Sequence, residues 1–550
     1  MRTDLIPDVQ RWAAAIPAIA KSGMLAPVGP KTGARLAQAF YRYGPTPAML
    51  LAASTIRHPH RTALIDDAGA LTYARLQSTS EAIAAALYAL ASAPPTSVGI
   101  ICRNHRGFAQ AMAAGAQLGA ELIFLNTELT DAQLAAILAR HAPDVLIFDE
   151  EYADGVEAAD YPGLRVLAWR DDPAAPSALP SLADLATRSH PAPPRVRHSV
   201  RITLLTSGTT GLAKGVPRSV DPAAIGLLCA TAMSVVRLRS TDTVIAAPPF
   251  FHGFGLLALL GPLTLGATAI CRRRFDAQRT LADITEHSAT VLMGVPVMLR
   301  RLLAAPALDR RALRESSLRV VLTGAAPITP ATVRQVIDVF GPILANGYGS
   351  TEAGLVSVAG PADLVEEPGT LGRPSLGVSV RILRPDNSIA VPGEIGSIFI
   401  RSGLVYSGYS PDATGRPATK RVVDGYVDTG DMGHLDAKGR LYLDGRSDDM
   451  IVSGGENVFP GEVENRLAEH PGVAEAVVLG TPDPEFGQVL HAFVVPEPGA
   501  GELRDDDLKS HVRERLERYK VPKRFTVVTE IPRNAGGKVL RARLQPGTAS

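Results

Sequence analysis

Cysteine is scarce in this chain, and the common hydrolase signatures are missing. Cys102, Cys229 and Cys271 lie far apart, with neither CxxC nor zinc-ligand spacing. A disulfide framework or structural zinc site therefore has no sequence support, and the three read as reduced, buried packing residues of a cytoplasmic protein. No HExxH or GxSxG occurs, which removes the motif basis for zinc or serine hydrolysis. An excess of one charge is also lacking. The formal net charge of +1 leaves no general electrostatic argument for nucleic-acid binding. The N-terminal apolar stretch is broken by Arg11, Pro17 and Lys21, unlike a cleaved signal. One uncharged run, Val244 to Cys271, is long enough to cross a bilayer, but Pro248, Pro249 and Pro262 divide it. It reads as a buried strand, helix and strand of an α/β core.

What is present is an ordinary globular composition over 550 residues, a length that implies roughly three to four domain-sized units. Through the first two hundred residues, short apolar runs such as SVGIIC, ELIFLN and DVLIFD alternate with alanine-rich helical stretches. That alternation predicts parallel sheets covered by helices. From Gly369 to Asp444 the texture changes to short β-like runs with turns. After Arg446 a compact α+β segment follows, with strands in AEAVVLG and HAFVVPE and a helix in DDDLKSHVRERLERY. The predicted fold class is α/β: a large N-terminal domain of helix-covered sheets with a small β-rich subdomain, then a mobile α+β C-terminal lid. The predicted boundaries are 1–50 for an N-terminal extension, 51–446 for the large domain and 447–550 for the lid.

The stretch LLTSGTTGLAKGVPRS, residues 204 to 219, follows a strand and combines hydroxyls, glycines and a lysine as a phosphate cradle does. It is not a Walker A loop. Ala213 stands where the glycine before the lysine belongs, and Gly215 after Lys214 has no hydroxyl for Mg²⁺. A metal ligand must then come from elsewhere. NGYGSTEAG offers one: Tyr348 can stack on a base, Ser350 and Thr351 can reach phosphate, and Glu352 can hold a cation. The alternative there is a glycine-rich turn capping a helix. GYVDTGD places Asp428 and Asp431 around a turn, where a carboxylate suits ribose hydroxyls or simply closes the turn. GRSDDMIVSGGENVFPGEVE suits a hinge, and IPRNAGGKVLRARL presents Lys538 after a glycine turn. HGFGLLA has dinucleotide-fingerprint spacing, but the paired prolines before it spoil the strand-to-turn entry. It reads better as a wall of an apolar pocket.

Taken together and in this order, these blocks resemble the signature motifs of the adenylate-forming superfamily, and within it the fatty acid–CoA ligase type of acyl-CoA synthetase. The resemblance runs from about residue 50 to 545. It implies an ATP phosphate loop at Thr206, Ser207, Gly208, Thr209, Thr210, Gly211 and Lys214. It implies an adenine platform at Gly347, Tyr348 and Gly349, a phosphate-contacting hydroxyl at Thr351 and a Mg²⁺ ligand at Glu352. Asp431 matches the ribose carboxylate, Arg446 a second nucleotide contact, Asp448 the hinge and Lys538 the lysine that catalyses adenylation. Gly454, Gly455, Glu456 and Asn457 match a loop that helps form the CoA pantetheine tunnel. The acyl pocket is expected at His252, Gly253, Gly324, Ala325 and Ala326, with small residues leaving room for an apolar chain.

The implied reaction joins a fatty acid to ATP, giving acyl-AMP and pyrophosphate, and then to CoA. Two alternatives stay open: a fatty acyl-AMP ligase that loads a carrier protein, and an aryl or other carboxylic acid–CoA ligase. The chain departs from the pattern at Ala213, where proline is common, and at Gly536, where GGK stands for the more frequent SGK. The first sixty residues fall largely outside the match, with packing on the large domain, peripheral membrane contact or assembly as their candidate roles.

Overall fold

The computed structural model describes residues 16–17, 19–23, 26–172, 174–196, 200–206, 214–218, 230–231, 233–350, 353–403, 420–453, 455–534 and 536–544. The chain divides into two compact units, one built on Met1–Leu322 and the other on Thr323–Gly403 and Lys420–Ser550.

The first unit holds two sheets whose strands are mostly parallel. In one the order is Leu164–Trp169, Val145–Asp149, Ser97–Ile101, Glu121–Phe124, Ile202–Thr206 and Lys214–Arg218, with only the last pair antiparallel. The runs SVGIIC, ELIFLN and DVLIFD are thus strands of one sheet, as expected. Val145–Asp149 is buried throughout because helices cover both faces of such a sheet. One cover is the helix Arg106–Leu118, buried from Gly107 to Gln117. Its alanines and Gly115 let it lie close to the sheet, and a Cβ added at Gly115 would meet Leu122 at 2.6 Å. In the second sheet Val291–Met293, Thr243–Ala246, Thr268–Ile270 and Thr62–Asp66 run parallel and neighbouring, and Gly69–Thr72 closes the edge as a hairpin.

The uncharged run from Val244 resolves into the strand Thr243–Ala246, the helix Gly253–Leu265 and the strand Thr268–Ile270. No described helix is long and apolar enough to cross a membrane. Gly255 lets this helix sit against its own entry segment, since an added Cβ would lie 1.9 Å from Pro249 O and 2.7 Å from Pro248 O. Both obstacles are backbone, so Gly255→Ala is expected to destabilise the unit by about 3 kcal/mol, read as a lower Tm in calorimetry. An unchanged Tm would mean that the segment moves aside freely. At the N-terminal side, Tyr43 of the helix Pro30–Tyr43 is buried and donates to Glu81 Oε1 at 2.5 Å, while Gln77 Nε2 donates to Tyr43 Oη at 3.2 Å. This segment packs on the first unit.

The second unit begins with the antiparallel hairpin Leu344–Ser350 and Gly354–Ala359. An antiparallel sheet of Ser379–Leu383, Gly396–Arg401, Val422–Val423, Tyr426–Leu435 and Leu441–Arg446 follows, in the region where short β-runs were expected. Beyond Arg446 the residues from Ser447 to Met450 lead into another sheet. Its long hairpin Val473–Asp483 and Gly487–Pro496 contains the predicted strands. The helices Pro460–Leu467 and Asp505–Arg513 cover it, burying Val463, Leu467, Leu508 and Val512 against Val478 and Val494. The second helix is shorter than its charged pattern suggested. It ends at Arg513, and a 3-10 turn at Arg518–Lys520 leads through Pro522 to the strand Arg524–Val527.

Candidate functional site

The nucleotide-site residues of the second unit converge on one largely enclosed carboxylate, Asp431, whose side chain is 13% exposed. Tyr348 sits in the strand Leu344–Ser350, and its hydroxyl donates to Asp431 Oδ2. Asp431 lies opposite Arg446 in the antiparallel ladder, with Arg446 Nη1 3.3 Å from its Oδ1. Arg446 Nε also donates to Asp448 Oδ1 at 2.8 Å, so one guanidinium joins the candidate ribose ligand to the candidate hinge. Burial raises the Asp431 carboxyl above the ordinary value, with Tyr348 and Arg446 opposing it. Burial and the adjacent Asp431 charge push the Tyr348 phenol well up. At Asp448 burial works against ionisation, but the Arg446 guanidinium outweighs it and holds the carboxyl low.

The turn expected around Asp428 and Asp431 is present as an Asx turn at Asp428, set inside a bulged strand. Both lie within the strand Tyr426–Leu435, where a register shift against Ser397 and Phe399 makes a bulge. Asp428 Oδ1 accepts from Gly430 N at 2.8 Å, and Gly430 has φ +80°. Asp428 therefore shapes the bulge while Asp431 is presented to Tyr348 and Arg446. The helix-cap alternative for NGYGSTEAG is replaced, because Ser350 pairs with Gly354 in the hairpin ladder. Thr351 and Glu352, between those two, lie outside the described residues.

The glycines flanking Tyr348 have structural reasons of their own. A Cβ at Gly349 would meet Gly354 O at 2.1 Å, and one at Gly347 would meet Leu355 Cδ1 at 3.2 Å. At Gly324 it would meet Gly347 O at 2.6 Å, so that glycine's smallness serves backbone approach as well as any acyl chain. Ala325 follows with φ +66°, a left-handed conformation unusual for alanine, and Ala326 comes next in the chain. Sequence reasoning missed Lys420. Its Nζ donates to Thr429 O at 2.8 Å, and its charge favours an ionised Asp431. It lies eleven positions before Asp431 in the sequence and belongs to none of the glycine-rich blocks.

Lys538 is exposed on a tight turn. Its N–H donates to Asn534 Oδ1 at 2.9 Å, its carbonyl accepts from Asn534 N at 2.9 Å, and Gly537 has φ +81°. The left-handed position is the glycine shared by GGK and SGK, so the departure at Gly536 leaves it intact. The Lys538 ammonium helps to lower the Asp448 carboxyl, placing its charge near the hinge residue. In the loop expected to serve CoA, Ser453 pairs with Glu456 and Val452 with Asn457, so a two-residue connection joins Ile451–Ser453 to Glu456–Val458. Gly455 occupies it with φ +86° and open space where a Cβ would stand, and Glu456 is exposed. Gly454 lies outside the described residues.

In the first unit Thr206 pairs with Lys214, so the ends of the candidate phosphate loop face each other across an antiparallel ladder. Ser207, Gly208, Thr209, Thr210 and Gly211, between them, lie outside the described residues. His252 stands at the N-cap of Gly253–Leu265, its ring 4.4 Å from that of Phe251. Its Nε2 is buried with no hydrogen-bond partner among the described residues, and burial lowers its pKa to about 4, leaving a neutral imidazole. A Cβ at Gly253 would lie 3.6 Å from Leu204 Cδ1, so this helix start borders the strand that leads into the phosphate loop.

The sequence matches the AMP-binding enzyme family over residues 51–410. The chain belongs to the AMP-binding enzyme family. Its C-terminal part matches the AMP-binding enzyme C-terminal domain over residues 462–538. The chain is 34% identical over 492 residues to a feruloyl-CoA synthase of Amycolatopsis sp, covering 88% of this chain and 96% of that one. It is 31% identical over 496 residues to the fatty acid–[acyl-carrier-protein] ligase ScoC of Streptomyces coeruleorubidus, covering 88% and 93%. Among solved structures it resembles o-succinylbenzoate CoA synthetase from Bacillus subtilis in complex with its acyl-adenylate intermediate. The TM-score is 0.76 at 28% identity, covering 90% of this chain and 98% of that one. Membership of the adenylate-forming superfamily, expected from the motif order, and the α/β fold class, expected from the alternation of apolar runs and helical stretches, are thereby established.

Proposed function

We propose that this member of the family is an AMP-forming acid–CoA ligase, in which a carboxylic acid attacks the α-phosphorus of ATP, pyrophosphate leaves, and the CoA thiol then displaces AMP from the acyl-adenylate. The observation that carries the reading is the Tyr348–Asp431–Arg446–Asp448 array: a largely enclosed carboxylate, flanked by a phenol and a guanidinium, with acceptors for the two ribose hydroxyls and a direct connection to the hinge. The relatives' printed activities support adenylation followed by transfer to a thiol.

In this reading Thr206 to Lys214 cradle the triphosphate and Tyr348 packs on adenine. Thr351 contacts phosphate, Asp431 and Arg446 hold the ribose, and Lys538 stabilises the charge that develops during adenylation. Gly215, following Lys214, is occupied in the ladder with Leu205 and carries no donor for a metal, so Glu352 is assigned to Mg²⁺. The ion would offset phosphate charge. Residues 51–446 form the adenylation domain, 447–550 the lid and 1–50 an extension. Gly454 to Asn457 serve the pantetheine arm once the lid turns about Asp448. ATP and CoA as substrates agree with the cytoplasmic setting inferred from the cysteines, of which Cys102 and Cys271 are buried and free.

For the acid, His252 shifts the balance away from the plain fatty acid first expected. Of the residues assigned to the acid, His252 and Gly253 stand in the first unit, and His252 carries a buried neutral imidazole nitrogen with no partner among the described residues. A bare methylene chain would leave that nitrogen unsatisfied, at a cost of about 1–3 kcal/mol. A ring-bearing acid with a polar substituent can pair with it. Fatty-acid loading of a carrier protein is the second reading, favoured by the similarity to ScoC.

The test is acid-dependent ATP–pyrophosphate exchange over hydroxylated aryl acids and medium- and long-chain fatty acids, followed by thioester detection with CoA. Exchange is expected to be fastest with ring-bearing acids, with thioester formed. Exchange without thioester would assign a carrier protein as acceptor, and fastest exchange with fatty acids would restore the first expectation.

A further inference from the structure

One buried polar side chain of the first unit, Asn104, lies outside every glycine-rich block. Asn104 is buried in the turn between the strand Ser97–Ile101 and the helix Arg106–Leu118. Its neighbours are committed elsewhere. Arg103 N donates to Asp149 Oδ2 at 2.9 Å, His105 Nε2 lies 2.7 Å from Asp149 Oδ1, and Arg106 N donates to Asp66 Oδ2 at 2.8 Å. The Asn104 amide instead meets the segment after the strand Thr243–Ala246. Its Nδ2 donates to Pro248 O at 2.9 Å, with Ala246 O at 3.3 Å and Ala247 O at 3.4 Å, and its Oδ1 accepts from Phe250 N at 2.9 Å.

Residues 247–252 lie between a strand and a helix, where the ladder and the helix satisfy few of their polar groups. One side chain supplies a donor and an acceptor to them at once. It also joins the carboxyl ends of two parallel strands, one from each sheet, the position where open α/β sheets bind ligands. The Phe250 ring of the same loop also packs on Phe108, with 5.5 Å between the ring centroids. His252 is two residues beyond the amide that Asn104 accepts.

We propose that Asn104 is the positioning residue for acid selection: by clamping Pro248 and Phe250 it sets where His252 and Gly253 stand in the acid pocket. The proposal rests on the pocket assignment made above. Its physical content is separate, because loss of the clamp frees one short loop and leaves the nucleotide array in place. Asn104 acts through His252, without touching reacting atoms.

The test compares wild type, Asn104→Ala and Arg103→Ala in the full chain. Arg103 shares the turn, but its guanidinium binds Glu151 at 2.7 Å and makes no hydrogen bond to the loop among the described residues. Hydrogen–deuterium exchange, read without substrate, should quicken at residues 247–252 in Asn104→Ala and stay unchanged there in Arg103→Ala. The KM for the acid should rise about tenfold or more in Asn104→Ala, with the KM for ATP unaltered and a reduced preference between ring-bearing and linear acids. Combining it with His252→Ala should give less than the sum of the two effects. Unchanged exchange in the loop overturns the clamp. Faster exchange with acid and ATP KM rising together, or with acid preference intact, overturns the positioning role. If Asn104→Ala does not fold, Asn104→Ser, which retains one donor, carries the same comparison. A wild type that activates no acid counts against the ligase reading, and the exchange measurement still decides the clamp.

Discussion

Lys538→Ala is expected to slow acyl-adenylate formation by about 10³-fold while leaving thioester formation from supplied acyl-adenylate largely intact. The asymmetry follows from where charge develops. When the acid attacks the α-phosphorus, negative charge grows on phosphoryl oxygens and on departing pyrophosphate, and an ammonium aimed there stabilises the transition state more than the ground state. In the second step the phosphoanhydride of ATP is already broken, and the demand moves to positioning the thiol. The turn should survive the substitution, since its conformation comes from Asn534 and Gly537 and the lysine side chain is exposed. Lys538→Arg should rescue poorly, because a planar guanidinium does not present charge as a compact ammonium does. The measurements are single-turnover acyl-AMP formation and thioester formation from synthetic acyl-AMP and CoA. Equal loss in both steps would reject separate work for Lys538.

Much of the fold was legible because buried parallel strands read as unbroken apolar runs, and SVGIIC, ELIFLN and DVLIFD are such strands. The site was legible as an ordered set of blocks, since a phosphate cradle, an aromatic, carboxylates and a lysine each need distinctive residues nearby in sequence. What was not legible depends on distant partners. The bulge that presents Asp431 is set by pairing with Gly396–Arg401, so the local GYVDTGD pattern showed the Asx turn at Asp428 but not the strand around it. The hairpin at Ser350 is decided by Gly354–Ala359 opposite it, whereas the sequence was equally compatible with a helix cap. Gly324 resembled space for an acyl chain until the approach of Gly347 O gave it another cause. Asn104 acts across more than one hundred and forty positions on carbonyls that any residues would provide, so no local motif marks it.

Asp431→Asn should divide function from stability in the opposite sense to an ordinary core substitution. It removes the charge from a carboxylate bonded to the Tyr348 hydroxyl and adjacent to Arg446. If ribose hydroxyls bind there, the KM for ATP should rise about 10²-fold, equivalent to about 3 kcal/mol and in the range for hydrogen bonds to a charged group. Affinity for acyl-adenylate should fall as well, because the same ribose is present in both half-reactions. This distinguishes the variant from Lys538→Ala, which affects one step. Stability should move differently. Burial raises the folded-state pKa of Asp431 above its ordinary 3.8. The native chain therefore binds that proton more tightly than the unfolded chain, and ionisation costs stability as pH rises through the interval between the two values. Above that interval the cost is fully present, and the neutral amide removes it. Arg446 keeps Asp448 as a partner, so it is not left unpaired. Tm at neutral pH should be unchanged or higher, with the advantage shrinking below the folded-state pKa. A marked drop in Tm together with an unchanged KM for ATP would make Asp431 a structural carboxylate and remove the ribose assignment.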